Sequence, residues 1–174
     1  MKTHFLPFLG ALAFGLFTST GQAAETATQQ KVIAFAEAHL GARTPASSAG
    51  ECTDLVSAAL ASANAVPGNF SNAPYYTWGR PILFGPKLHS GRRVPYHLLG
   101  KPGYIIQFVD CHFQTANSSS DYPKHSAIIE SANGSILTLL NQNVNGQRVV
   151  VRSTVDLTTL VKGSYKFYSP LPRS

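Results

Sequence analysis

Apolar residues recur at helical spacing in two segments of the first third of the chain. In "TQQKVIAFAEAHLG", residues 28–41, mostly apolar side chains fall on one face, and Gly41 is suited to end a helix. In "CTDLVSAALASAN", residues 52–64, a second apolar stripe follows a loop rich in Pro, Ser and Gly. The pattern therefore predicts two helices, the second of which begins at Cys52.

Shorter apolar runs that are typical of strands occupy the second half of the chain, separated by turn sequences such as "ANG" and "VNG". The runs are residues 103–113, 125–132, 135–144, 147–153 and 164–169. Helices followed by strands predict an α+β domain with an antiparallel sheet. Residues 75–102, rich in Pro, Gly, aromatic and basic residues, predict a long surface excursion of the kind that often builds binding clefts.

The chain begins with a segment that is typical of an export signal. Lys2 precedes an uncharged apolar run at residues 5–17, and Ala23 ends a stretch of small residues suited to cleavage. The run is shorter than the roughly 18 residues that a membrane-spanning helix needs, and no later segment is longer and as apolar. We therefore predict a signal peptide at residues 1–23, a single domain at residues 24–174, no transmembrane segment, and a secreted or periplasmic location.

The formal net charge of +6 changes the expected partners. It falls by one when Lys2 leaves with the signal peptide, and the remaining excess of Lys and Arg favours an anionic partner. These residues are scattered and form no nucleic-acid-binding motif, so nucleic acid is not expected. An anionic wall surface suits an exported protein better, and a solvated basic surface without a dedicated partner is an equal alternative.

The position of Cys52 suggests nucleophilic chemistry. The N-terminus of a helix stabilises a thiolate through its unpaired N–H groups and its dipole. Such a nucleophile needs a base oriented by a third polar group. His125, at the start of a strand-like run, and Asn141, in the next run, can supply the base and the orienting group. The alternative for Cys52 is a disulfide with Cys111, which export and an even cysteine count permit.

Four motifs together resemble one hydrolase family. "GECTDLVSAAL", "YYTWGR", "PGYIIQF" followed by "HSAIIES", and "LNQNVNG" are similar to segments of the CHAP family, cysteine- and histidine-dependent amidohydrolases and peptidases of the NlpC-like papain superfamily. The resemblance spans residues 32–167. It implies a papain-like α+β fold with N-terminal helices packed on an antiparallel sheet, and cleavage of an amide, often in peptidoglycan. It also implies that Cys52 is the nucleophile, His125 the base and Asn141 the orienting group.

Three further residues are predicted to bind substrate. Asn143 matches an Asn of the family, and strand alternation would place Asn141 and Asn143 on the face of the histidine, with Gln142 on the other. Tyr76 and Trp78 are predicted to form a wall of the cleft, because they lie among Gly and Pro in the aromatic excursion. Their alternative role is that of ordinary core aromatics.

These observations predict a secreted cysteine amidase or peptidase that acts on peptidoglycan or another amide-containing substrate. No metal or cofactor is expected, because the sequence has no paired Cys-x-x-Cys, no His pair at ligand spacing and no phosphate-binding Gly loop. The alternative is a non-catalytic wall or glycan binding module on a papain-like fold, with Cys52 inert. The sequence leaves open the amide that is cleaved, hydrolysis or acyl transfer, the second oxyanion donor, the oligomeric state and an immunity partner.

Overall fold

Two helices and a six-stranded antiparallel sheet make up the structure, a computed structural model that describes residues 20–44, 50–71, 76–85 and 91–174. The helices are α1 (Thr20–Ala38) and α2 (Cys52–Ser62). The strands are β1 (Arg80–Ile82), β2 (Ile105–Gln114), β3 (Ser119–Asn133), β4 (Ile136–Asn141), β5 (Val151–Asp156) and β6 (Leu160–Ser169), in the spatial order β1-β6-β2-β3-β4-β5. The predicted α+β class and antiparallel sheet are confirmed.

One hydrophobic cluster joins both helices to the sheet. Val32 of α1 and Leu55 of α2 are fully buried in it. Ile105 and Ile128, which pair across β2 and β3, belong to the same cluster. Full burial of each such side chain contributes roughly 1.5–3 kcal/mol. This cluster holds the first turn of α2, and therefore Cys52, close to the sheet.

The alternate positions of the same strands build a second cluster that is rich in aromatic residues. Phe108 of β2 is fully buried there and stacks on Tyr122 of β3, with 4.7 Å between the ring centroids. Phe108 lies directly opposite His125 in the β2–β3 register. Directly opposed residues of an antiparallel pair share a face of the sheet, so His125 belongs to the aromatic face.

The two helices begin and end differently from the sequence prediction. Helix α1 already starts at Thr20, and it stops at Ala38 because Leu40 leaves the helix to form a bridge with Val150. Helix α2 begins at Cys52, as predicted, and ends at Ser62. Residues 1–19 of the predicted signal peptide lie outside the described residues, and residues 20–23 form the first turn of α1. Among the residues described, no helix is long and apolar enough to cross a membrane.

The strand that carries the candidate base is longer than predicted. Strand β2 continues to Gln114, and a tight turn in which Thr115 N–H donates to the carbonyl of Ser118 returns the chain into β3. Strand β3 therefore begins at Ser119, so His125 lies within the strand and not at its start. The prediction that His125 opens its strand was wrong because the turn sequence "TANS" escaped recognition.

A buried ionic contact fastens α1 to the edge of the sheet. Glu25 of α1 is 6% exposed and accepts a hydrogen bond of 2.7 Å from the guanidinium of Arg80 in β1. The hydroxyl of Ser169 in β6 also donates to this carboxylate. A buried carboxylate is tolerated only when it is paired and hydrogen-bonded. Glu25 therefore ties the start of α1 to both β1 and β6.

A bulge in β2 depends on a glycine in β6. The pairing of β2 with β6 shifts between Val109 and His112, and the intervening Asp110 adopts a φ of 50°. Gly163 of β6 has a φ of 89°, and a Cβ atom there would lie 2.3 Å from the carbonyl oxygen of Asp110. No side chain fits in that gap, so the bulge requires glycine at position 163.

We expect Gly163→Ala to lower the free energy of unfolding by roughly 2–4 kcal/mol, since a left-handed residue costs about 1–2 kcal/mol and overpacking adds about 1–3 kcal/mol. Gly146→Ala is the matched control, because Gly146 has a φ of 75° and a methyl group added there would meet nothing within 4 Å. In Gly146→Ala the free energy of unfolding should fall only by the cost of a left-handed backbone conformation, without the overpacking. Urea denaturation measures both variants, and equal losses would contradict the role of the contact with Asp110.

Candidate active site

The thiol of Cys52 lies against β3. Cys52 is the first residue of α2 and is partly buried. Its thiol is in hydrogen-bonding contact with the backbone of Ser126, of Thr53 and of Cys52 itself. Ser126 is the chain neighbour of His125, so the start of α2 brings the candidate nucleophile to the segment of β3 that carries the candidate base.

The sheet opens at this point. The paired part of β3 and β4 begins at Ile128 and Leu140. His125 and Ser126 precede Ile128, so they lie beyond the end of that ladder. Strand β4 itself ends at Asn141. The first turn of α2 contacts the backbone of Ser126 at this gap between β3 and β4. The start of α2, the strand β3 and the end of β4 therefore lie close together.

His125 and Asn141 are brought together as the sequence predicted. His125 Nε2 and Asn141 Oδ1 are 2.9 Å apart, in a buried contact between neighbouring strands. The amide nitrogen of Asn141 donates to the carbonyl of Leu139 at 3.1 Å and to the hydroxyl of Ser153 at 2.7 Å. Asn141 is fully buried, and every polar atom of its side chain has a partner.

These contacts determine which nitrogen of His125 acts as the base. The carbonyl of Leu139 only accepts, so the atom of Asn141 that faces it must be the amide nitrogen. The atom that faces His125 is then Oδ1, which also only accepts. His125 Nε2 must therefore carry the proton, and in the neutral ring Nδ1 keeps the lone pair. The free base of the site is Nδ1.

Aromatic rings pack against the imidazole of His125 and shield it from solvent. The ring of His125 lies 5.3 Å from that of Tyr122 and 6.4 Å from that of Phe108, measured between centroids. Only 6% of His125 is exposed. Burial lowers the pKa of His125 below its ordinary value, and the hydrogen bond to Asn141 opposes that shift. The ring is therefore neutral at pH 7, as a general base must be.

The electrostatics of Cys52 differ from the sequence expectation. Burial raises the pKa of the Cys52 thiol, the backbone of Ser126 lowers it, and the nearby carboxylate of Glu51 raises it again. The expectation that the helix start alone would favour thiolate was wrong, because desolvation and a negative neighbour outweigh the N–H donors. In the resting protein, burial therefore favours a neutral Cys52 thiol and a neutral His125 imidazole.

Residues after β4 anchor the segment that precedes Cys52. Gln142 is fully buried; its oxygen accepts from the N–H of Thr44 at 3.0 Å, and its nitrogen donates to the carbonyl of Glu51 at 3.1 Å. Arg148 binds the carboxylate of Glu51 from the exposed side. The sequence prediction assigned no role to Gln142. The unbroken polar run "NQN" directly after an apolar strand is the signal that could have identified it.

The three predicted substrate-binding residues have different positions. Trp78 has no exposed surface, and its indole N–H donates to the hydroxyl of Ser126 at 3.1 Å. It is a core residue behind the site and not the cleft wall that was predicted. Tyr76 is half-buried beside Trp78 and stays a prediction. Asn143 donates to the carboxylate of Glu51 at 2.6 Å.

An open cleft of about 420 Å³ lies beside the candidate base. His125 and Asn143 line it, and Cys52 is not among the described residues that line it. Asn143 thus borders the cleft even though its amide binds Glu51. Charged residues of both signs, Asp110, Asp121 and Lys124, also line it, so its surface is of mixed polarity.

The two cysteines are not joined. Cys52 and Cys111 are both free thiols, and Cys111 donates to the carbonyl of Ser164 at 2.9 Å. The disulfide alternative for Cys52 is therefore contradicted. Over the described ranges, no group of three or more His, Cys, Asp or Glu side chains could hold a metal ion.

Comparisons with known proteins link this fold to cysteine proteinases. A family model described as the AIM3/BBC1 cysteine proteinase-fold domain matches residues 21–174. The protein named Altered inheritance of mitochondria protein 3, from Debaryomyces hansenii, is 27% identical over 134 residues. That alignment takes in 71% of this chain but 14% of the yeast protein. The chain thus spans a small part of this relative's length.

Two solved structures are more distant. The crystal structure of Ly7917 aligns with a TM-score of 0.48 at 18% identity, over 82% of this chain and 62% of that chain. The crystal structure of Ly7917 with the hydrolyzing product of MDP gives a TM-score of 0.47 at 17% identity, with the same coverage of 82% and 62%. At these values the likeness transfers neither a substrate nor an activity.

We expect Glu51→Gln to make Cys52 more reactive. The substitution removes a negative charge that raises the pKa of the thiol, and it keeps an oxygen that can accept from Asn143. Alkylation of Cys52 by iodoacetamide at pH 7.5 should become roughly three- to tenfold faster, measured for each cysteine by mass spectrometry. Glu37→Gln, which removes a carboxylate of α1, is the control. An unchanged rate in Glu51→Gln would contradict the electrostatic role of Glu51.

The lowered pKa of His125 also predicts how stability depends on pH. In the unfolded chain His125 binds a proton near its ordinary pKa of about 6.5, whereas the buried ring resists protonation. The free energy of unfolding should therefore be fully present above about pH 6.5 and fall as the pH drops below it, with a slope of up to about 1.4 kcal/mol per pH unit from this group. Urea denaturation at several pH values should give a shallower decline in His125→Gln. Parallel curves would show that His125 titrates normally in the folded protein.

Proposed function

Because the chain belongs to the AIM3/BBC1 cysteine proteinase-fold family, with a papain-like fold, we propose that it is a cysteine hydrolase of amide bonds. One observation carries the proposal: the contact between His125 Nε2 and Asn141 Oδ1 leaves Nδ1 as the free base, and Cys52 contacts the residue next to that histidine. The proposal requires that a nucleophile, a base and an orienting group from three separate elements act together at one opening of the sheet.

The first half of the reaction transfers the acyl group to the enzyme. The Cys52 thiol gives its proton to His125 Nδ1 as the sulfur attacks the amide carbonyl carbon, and the carbonyl electrons move to oxygen. The backbone N–H groups of Cys52 and Ser126 are the donors that we assign to the oxyanion, since both surround the sulfur. The imidazolium then protonates the leaving nitrogen, the C–N bond breaks, and a thioester remains.

The second half releases the acyl group. His125 Nδ1 removes a proton from water as the oxygen attacks the thioester carbonyl. The C–S bond then breaks and the imidazolium returns the proton to sulfur, which gives a carboxylic acid and the free thiol. Ser47 and Ser48, which precede Cys52 in the chain and are further candidates for the second oxyanion donor, lie outside the described residues. The N–H of Glu51 is occupied by the carboxylate of Asp54 at 2.6 Å, so we assign the second donor to Ser126, whose backbone contacts the sulfur from β3.

We extend the proposal to the finer assignments made from sequence. These are a CHAP-like activity on the stem peptides of peptidoglycan, a domain at residues 24–174, and export to a secreted or periplasmic location. The motifs of the sequence support them, and the yeast relative adds no support for a wall substrate. N-terminal sequencing of the exported protein tests the cleavage after Ala23, and a substrate panel tests the wall assignment.

We expect the protein to release new primary amines from an amide substrate without added metal. The panel consists of purified peptidoglycan, its isolated stem peptides, and unrelated peptides of similar length, assayed with an amine-reactive fluorophore. Cys52→Ala should abolish release, and Asn141→Ala should slow it by about ten- to a hundredfold, since general base catalysis contributes about 10²–10⁴-fold and orientation is part of it. Cys111→Ala, which removes the other thiol, should be active.

The pattern of results separates the alternatives. Release that persists in Cys52→Ala would show that another residue carries the chemistry. Cleavage of the unrelated peptides but not of the stem peptides would retain the hydrolase and remove peptidoglycan as its substrate. If a folded protein binds wall material and releases nothing from any substrate, it is the non-catalytic binding module.

A further inference from the structure

The orienting residue Asn141 is itself held by a circuit of side chains. Its amide nitrogen donates to the hydroxyl of Ser153 on β5 at 2.7 Å. The hydroxyl of Ser153 also lies close enough to that of Tyr122 on β3 to lower its pKa, against the larger effect of burial. The ring of Tyr122 lies 5.3 Å from that of His125. The circuit therefore closes on the histidine from which it started, through four side chains of three strands.

We propose that Ser153 and Tyr122 are positioning residues that keep His125 in the tautomer with its proton on Nε2. Neither residue carries a sequence motif that would have singled it out. Their effect on the tautomer does not depend on any reaction, whereas their effect on turnover rests on the proposed hydrolase function.

The role of Ser153 follows from what an asparagine can do when it rotates. A half-turn of the Asn141 amide would point its nitrogen at His125 Nε2, which would then have to accept. The proton would move to Nδ1, which would then no longer be the free base of the ring. The carbonyl of Leu139 opposes this rotation, because it would meet an oxygen. Ser153 supplies the second acceptor for the amide nitrogen and so widens the energy gap between the two orientations.

Ser153 also helps a neutral residue to stabilise a charged ring. Asn141 carries no charge to balance the imidazolium that forms during the reaction. Hydrogen bonds in a chain polarise one another, so donation from both hydrogens of the amide nitrogen makes Oδ1 a stronger acceptor. The contact between Asn141 and His125 is buried, where such polarisation is stronger than in water. Ser153 thereby acts on His125 without touching it.

Tyr122 fixes the other end of the circuit. It is 5% exposed, its ring stacks on Phe108, and its hydroxyl engages Ser153. This contact restricts the rotation of the Ser153 hydroxyl and leaves a lone pair directed at the amide of Asn141. The same ring limits the tilt of His125. Tyr122 therefore sets both the plane of the imidazole and, through Ser153 and Asn141, its tautomer.

The test is the tautomer and pKa of His125, measured by ¹⁵N NMR of histidine-labelled protein over a pH series. The wild type should show a protonated Nε2 and an unprotonated Nδ1 in the neutral ring. In Ser153→Ala we expect a population with the proton on Nδ1 and a further lowering of the pKa. Ser153→Thr restores a hydroxyl and should restore the wild-type spectrum. Tyr122→Phe keeps the ring and should shift the spectrum in the same direction as Ser153→Ala.

Thr154→Val is the matched control, since it removes a hydroxyl from the neighbouring position of β5, which alternates to the other face. It should leave the His125 spectrum unchanged. Turnover on the best amide substrate should fall about three- to tenfold in Ser153→Ala, in kcat and not in KM. Thermal unfolding confirms that each variant is folded.

Two outcomes would overturn the proposal. One is an unchanged tautomer and pKa in folded Ser153→Ala and Tyr122→Phe. The other is an equal shift in Thr154→Val, which would show a general response of β5. Because the NMR spectrum requires no substrate, a protein without hydrolase activity that shows the expected shifts would retain the circuit and lose only the proposed function.

Discussion

The chemistry of the candidate site depends on one backbone carbonyl, that of Leu139. This atom cannot donate, so it fixes which end of the Asn141 amide faces the sheet and which end faces His125. That orientation places a proton on Nε2 and leaves Nδ1 basic. The carbonyl belongs to the regular part of β4, whose position is held by pairing on both sides. The strand pairing that positions the Leu139 carbonyl therefore also determines which nitrogen of His125 carries the proton.

Burial favours a neutral resting state. The pKa of Cys52 is raised and that of His125 is lowered, in both cases chiefly by desolvation. Separating a proton to form a thiolate and an imidazolium in this setting costs more than it would in water, unless further contacts stabilise both ions. In the proposed reaction, a substrate carbonyl supplies such a contact, because it takes the negative charge from sulfur to an oxygen that N–H groups can stabilise. The proposal therefore couples charge separation to the presence of a substrate.

Local patterns predicted the start of α2 at Cys52 and the antiparallel sheet, because apolar spacing and turn residues determine both. The approach of His125 and Asn141 was predicted from the successive strand-like runs that carry them, and the resemblance to a family implied the same pair. The sequence did not predict the role of Gln142, because its partner Thr44 lies far away along the chain. The burial of Trp78 escaped too: glycine and proline around an aromatic residue are compatible with either a cleft or a core. The electrostatics of Cys52 depend on Glu51 and on the depth of the site, which no linear pattern encodes.

Three consecutive side chains at the end of β4 reach three different parts of the site. Asn141 contacts the histidine, Gln142 holds the loop before α2, and Asn143 binds Glu51. The positions of Cys52 and His125 thus depend on a tripeptide, and each of its three contacts requires its residue at that place in the chain. Conservative substitutions leave this order intact, whereas inserting or deleting one residue displaces every contact at once. The site is therefore more sensitive here to a change in chain length than to a conservative change in side-chain type.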